Sequence, residues 1–162
     1  LRYEGKVLGI CGGLQMLGES IDGTTVEGKD SLGLNLLPIK TTMQTEKTLR
    51  QIDQLSCHPK QTHVTGYEIH HGTSDTDESL FPFCACSSDS QVWGTYVHGL
   101  FAQGDSRQAW LQSIGFQSES RTNQDERTMA SLDLLADQLE QRIQPSILKQ
   151  LISSGKGKRI TS

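Results

Sequence analysis

A short apolar run, Lys6 to Ile10, stops abruptly at Cys11-Gly12-Gly13, after which Leu14, Met16 and Leu17 return at helical spacing up to Gly18. A brief run with no polar alternation is what a buried parallel strand requires. The pattern therefore predicts strand, sharp turn, helix. A cysteine on such a turn is exposed at the carboxyl end of its strand. Small neighbours let the backbone fold closely around it.

The rest of the chain reads in simpler terms. Residues 22–37 are rich in Gly, Thr and Asp without a period and are expected to form a loop. Thr, Val and Ile alternate with polar residues over 39–48, 62–71 and 91–98, which predicts three strands. Ala109, Trp110, Leu111 and Ile114 predict a helix over 107–114. Met129, Leu132, Leu135, Leu139 and Ile143 predict an amphipathic helix over 125–143, with Pro145 ending it or opening a shorter one. The expected organisation is one domain over residues 1–152, followed by a flexible basic tail over 153–162. The chain starts without methionine and runs almost at once into an apolar strand, so it is expected to be a piece of a longer polypeptide.

The 162 residues suit a single core, and 34% hydrophobic with 21% charged residues is the balance of an ordinary soluble protein. No apolar run approaches the ~20 residues that span a bilayer, so no membrane association is expected. A net charge of −4 argues against nucleic acid as a main partner. The cysteines at 11, 57, 84 and 86 are expected to be reduced thiols in the cytoplasm.

Three stretches carry candidate chemistry. In Gly9-Ile10-Cys11-Gly12-Gly13 the thiol is a candidate nucleophile, although taken alone it reads equally well as a buried, inert cysteine. In Gly94-Thr95-Tyr96-Val97-His98-Gly99 a histidine follows a strand, where it could accept a thiol proton and return it to a leaving amine. Alone it reads as a structural histidine; its case rests on meeting Cys11 at one edge of a parallel sheet. The third stretch is Gly66-Tyr67-Glu68-Ile69-His70-His71-Gly72-Thr73. Alternation puts Glu68 and His70 on one face and Tyr67 and His71 on the other, and one face could line a pocket. No metal site is expected, because the spacings match no common zinc pattern and Cys84-Ala85-Cys86 is not Cys-x-x-Cys.

Together these stretches resemble the C-terminal glutamine amidotransferase domains of the cobyric acid synthases. The likeness is carried by Gly9-Ile-Cys-Gly-Gly-Leu-Gln-Met-Leu-Gly18, Gly66-Tyr-Glu-Ile-His70 with Gly72-Thr73, and Gly94-Thr-Tyr-Val-His-Gly-Leu-Phe101. Gly33-Leu34, Leu36-Leu37-Pro38 and the Arg107, Trp110, Leu111 helix fit as well, so the likeness spans about residues 5 to 151.

The resemblance implies a flavodoxin-like α/β class I amidotransferase fold, truncated at its N-terminal strands, with C-terminal helices. It implies Cys11 as nucleophile and His98 as base. Gly12, Gln15, Tyr67, Glu68 and His70 are then the substrate-binding or oxyanion candidates. Glutamine is the implied substrate. The implied partners are an N-terminal synthetase domain and its corrinoid substrate, with ATP and Mg²⁺ serving that domain and no cofactor here. Related chemistry on a cell-wall lipid precursor and a catalytically inactive domain of the same fold are the alternatives. Class I enzymes of the three-residue kind usually place Glu two positions after the histidine, where this chain has Leu100. Glu68, an acid of the synthetase domain or a backbone carbonyl are the candidates for the missing third member. The early strands and their glycine loop are expected to lie before Leu1, so the chain alone is expected to have weak or no glutaminase activity.

Overall fold

The sharp turn at Cys11 is present, and the strand before it pairs with the strand before His98. In the computed structural model, which describes residues 5–24, 28–58, 61–117 and 120–155, the chain runs in order through eleven elements. These are β1 (Val7–Ile10), α1 (Gly12–Leu17), β2 (Ser20–Asp22), β3 (Ser31–Leu32), β4 (Lys40–Leu55), β5 (His63–Ser74), β6 (Ala85–Cys86), β7 (Val92–Thr95), α2 (Gly104–Ser113), α3 (Gln124–Arg142) and α4 (Pro145–Gly155). A 3-10 turn covers Glu78–Leu80.

Two small sheets result. One has the order β1-β7-β6, with β1 and β7 parallel and in register from Val7 opposite Val92 to Ile10 opposite Thr95. The other has the order β3-β2-β4-β5, dominated by the long antiparallel β4–β5 pair. A register shift between Met43 and Thr48 interrupts that ladder. The mixed α/β architecture fits the flavodoxin-like class.

Apolar burial explains why the sheets stay together. Leu14 and Leu17 of α1 pack with Leu37, Ile39, Val92 and Tyr96 in one cluster. Ile52 and Val64, from β4 and β5, pack with Phe83, Trp93, Val97 and Leu100 in a second. Each fully buried Leu, Ile or Val contributes roughly 1.5–3 kcal/mol. Both clusters draw on β7 and the residues after it, so that segment ties the two sheets to each other.

Several elements differ from the sequence reading. The segment 22–37, expected to be loop, contains β3, a two-residue strand hydrogen-bonded to β2. β6 was likewise not foreseen. α2 starts at Gly104, three residues before the expected start. α4 continues through Gly155, so residues 153–155 of the expected tail are helical, and the remainder of that tail lies outside the described residues. The chain divides into two compact units, Leu1–Asn123 and Gln124–Ser162. The second unit is the α3 and α4 pair. Among the described residues no helix is long and apolar enough to cross a membrane.

Candidate active site

Cys11 stands directly after β1 and bonds through its N–H to the Thr95 carbonyl at 2.8 Å, continuing the parallel ladder by one residue. Its backbone then leaves the strand at φ 54° and ψ −114° before entering α1. A side chain in that region is strained, and such strain collects at functional turns. Gly9 is what lets the turn close. A Cβ at residue 9 would lie 2.6 Å from the Gly13 carbonyl oxygen and 2.5 Å from the Leu17 side chain. Gly12 and Gly13 differ from it, for a Cβ at either would meet nothing within 4 Å. Open space lies where a side chain at either of those two glycines would begin.

His98 lies three residues past the end of β7, at the same carboxyl edge. It forms an isolated antiparallel bridge with Tyr67 of β5. The His98 N–H donates to the Tyr67 carbonyl at 2.7 Å, and the Tyr67 N–H donates to the His98 carbonyl at 3.1 Å. The imidazole stacks on the Tyr67 ring with centroids 5.0 Å apart and planes 9° from parallel. Cys11 meets the same strand. Its Sγ donates to the Ile69 carbonyl at 3.5 Å. Tyr67 and Ile69 are two residues apart on β5, roughly 7 Å along the strand. The thiol and the His98 backbone thus meet one edge of β5 at residues two apart.

The opposite face of β5 carries a different set of groups. Both Glu68 carboxylate oxygens accept from Arg50, at 2.9 and 3.0 Å, and His70 Nε2 stands 3.9 Å from the same carboxylate. The His70 ring stacks on Tyr96 at 3.7 Å, while its Nδ1 lies 2.6 Å from the Gly72 carbonyl. The Tyr96 hydroxyl bonds Ser74 Oγ at 2.6 Å and accepts from Gln15 Nε2 at 3.2 Å, and Ser74 Oγ reaches Thr41 Oγ1 at 2.7 Å. Burial raises the Tyr96 phenol above its ordinary range, so it stays a hydroxyl. Arg50, Glu68, His70 and Tyr96 line a cavity of about 580 Å³.

The candidate residues therefore fall into two groups. Cys11, Gly12, Tyr67 and His98 gather at the edge where the parallel strands end. Gln15, Glu68 and His70 belong to the polar network on the other face of β5. Among the described residues no carboxylate pairs with His98, and Glu68, the in-chain candidate for that duty, is held by Arg50. Leu100 is buried in the second apolar cluster, so the position where Glu is usual faces the core in this chain. Sequence reasoning missed Arg50 and Tyr96. Tyr96 lay inside a quoted stretch and its hydroxyl was the available signal; Arg50 had none, since its pairing depends on register. Among the described residues no group of three or more His, Cys, Asp or Glu is placed to hold a metal ion.

Comparison with known proteins places the chain in a family. Residues 1–106 match the model of the CobB/CobQ-like glutamine amidotransferase domain. The chain belongs to that family. A cobyric acid synthase of Halorhodospira halophila is 47% identical over 153 residues, covering 93% of this chain and 32% of that protein. Cobyric acid synthases of Herpetosiphon aurantiacus and Hyphomonas neptunium are 36% and 42% identical, over 93% and 86% of this chain. This amidotransferase-family chain spans about a third of the length of those relatives: 32%, 33% and 30%.

Proposed function

We propose that this chain is the glutamine-hydrolysing domain of a cobyric acid synthase. It would supply ammonia for ATP-dependent amidation of corrinoid carboxylates in vitamin B12 biosynthesis. The observation that carries the catalytic part is the shared docking of Cys11 and His98 on β5. A strained nucleophile turn and a histidine meet one strand edge two residues apart.

The chemistry follows from the groups present. His98 takes the Cys11 proton, and the thiolate attacks the side-chain amide carbon of glutamine. The developing oxyanion accepts from backbone N–H groups at the turn, that of Gly12 first among them. Collapse breaks the C–N bond while His98 returns the proton to the amine, which leaves as ammonia. Water, deprotonated by His98, then attacks the thioester; glutamate leaves and the thiol is restored. The identity of the relatives supports the corrinoid as acceptor, with ATP and Mg²⁺ used by a synthetase domain outside this chain. Their names favour it over a cell-wall lipid acceptor. The four free cysteines agree with a reducing cytoplasm.

The chain on its own is proposed to be a weak glutaminase. Its thiol donates to Ile69 and must turn away from that carbonyl before it can attack. Steady-state ammonia release tests the assignment. Cys11→Ser and His98→Ala in a protein joining this chain to its synthetase domain should abolish glutamine-dependent amidation while leaving amidation from free ammonia intact. Glutamine use surviving in Cys11→Ser would refute the reading.

A further inference from the structure

A base that cycles through a protonated state ordinarily has a third group to orient it. In this chain the usual position is Leu100, which is buried in the core, and Glu68 is engaged by Arg50 on the far face of β5. His98 Nε2 is itself buried with no hydrogen-bond partner. The ring is nevertheless constrained twice, and both constraints come from one residue. The reciprocal main-chain bonds to Tyr67 fix where the histidine backbone lies, and the parallel stack fixes the plane of its imidazole. Close approach of the two segments is built in at Gly66, where a Cβ would lie 2.2 Å from the His98 carbonyl oxygen.

We propose that Tyr67 is the positioning residue for His98, replacing the orienting carboxylate by a stacked ring on a reciprocal backbone bridge. The proposal rests on the reading of His98 as base and deepens it. A neutral ring restrains orientation without contributing charge, so Tyr67 acts on the rate of the chemical step and not on the affinity for glutamine. The aromatic face is what matters. The hydroxyl is dispensable, because phenylalanine presents the same face to the imidazole.

The test uses the protein that joins this chain to its synthetase domain, with 6-diazo-5-oxo-norleucine. The thiol proton is transferred to the diazo carbon, N₂ leaves, and a thioether forms at Sγ. Inactivation gives a maximal rate and a half-saturating concentration for the native chain and for Tyr67→Phe, Tyr67→Leu, Tyr67→Ala and His98→Ala. Tyr67→Phe should match the native chain within about two-fold in both constants. Tyr67→Leu and Tyr67→Ala should each lose about ten-fold or more in maximal rate, as a displaced catalytic group does, with half-saturation unchanged within about two-fold. Leucine keeps an apolar side chain on the strand, so agreement of the two ringless variants separates loss of the stack from loss of fold. Ringless variants that label at the native rate would overturn the proposal, as would a Tyr67→Phe defect equal to theirs. If His98→Ala labels normally, the base assignment itself falls; if His98→Ala is slow and the ringless variants are not, only the role of Tyr67 falls.

Discussion

The Cys11 thiol donates to the Ile69 carbonyl two residues along β5 from the point where His98 and Tyr67 exchange main-chain hydrogen bonds. One strand edge thus sets the spacing of two groups that lie 87 positions apart in the sequence. The first sheet supplies both groups and the second supplies the ruler. Small displacements of β5 relative to the β1–β7 pair therefore bear directly on the candidate chemistry.

Substitution at Gly66 should show this. In Gly66→Ala the new Cβ would meet the His98 carbonyl, a backbone atom that cannot swing aside. The expected result is a loss of about 1–3 kcal/mol in urea denaturation and a fall of about 10²-fold in labelling of Cys11 by the glutamine analogue. Gly13→Ala is the contrast, because open space surrounds its Cβ. Its stability should be unchanged or higher by about 0.5–1 kcal/mol, since alanine is the better helix former.

Leu100→Glu should not rebuild a three-member relay. Leu100 is 4% exposed and packed among Ile52, Val64, Phe83, Trp93 and Val97. A carboxylate there would be buried without a partner, at a cost of roughly 3–5 kcal/mol. Lowered thermal stability with no gain in glutamine hydrolysis is expected; a stable variant with faster turnover would show that residue 100 can reach the imidazole.

Alkaline stability should fall through a window set by Cys84. Burial pushes that thiol from 9.0 up to about 11. Between those values the unfolded chain ionises while the folded chain stays protonated, so stability declines as pH rises from about 9 to about 11. The decline from this group is on the order of 2 kcal/mol. Cys84→Ala should flatten the slope of unfolding free energy against pH over that window. An unchanged slope would assign the loss to other groups, Tyr96 among them, since burial raises its phenol as well.

The turn at Cys11 was legible because apolar residues stop and glycines begin within three positions. Alternation at 67–71 was legible too, and it separated Glu68 and His70 from Tyr67 as the structure does. Other features were not. β3 and β6 are two residues long, too short for any period to register. The Arg50–Glu68 pair depends on a register shift between Met43 and Thr48, which no pattern in either strand announces. Alternation gives the face on which Glu68 lies; the register gives the Arg50 guanidinium that holds it there. The missing carboxylate was visible as Leu100; the stacked ring facing the imidazole was not, because a bridge between residues 67 and 98 is a tertiary fact.

Covalent capture by a glutamine analogue shows which thiol is the nucleophile. The protein joining this chain to its synthetase domain would be treated with 6-diazo-5-oxo-norleucine at neutral pH and the adduct located by peptide mass spectrometry. Cys57 is exposed and offers a fair competitor, whereas burial keeps Cys84 and Cys86 protonated. One adduct is expected, on Cys11, suppressed by excess glutamine and by His98→Ala. Modification at Cys57 in preference to Cys11, or labelling of Cys11 that neither glutamine nor His98→Ala affects, would contradict it.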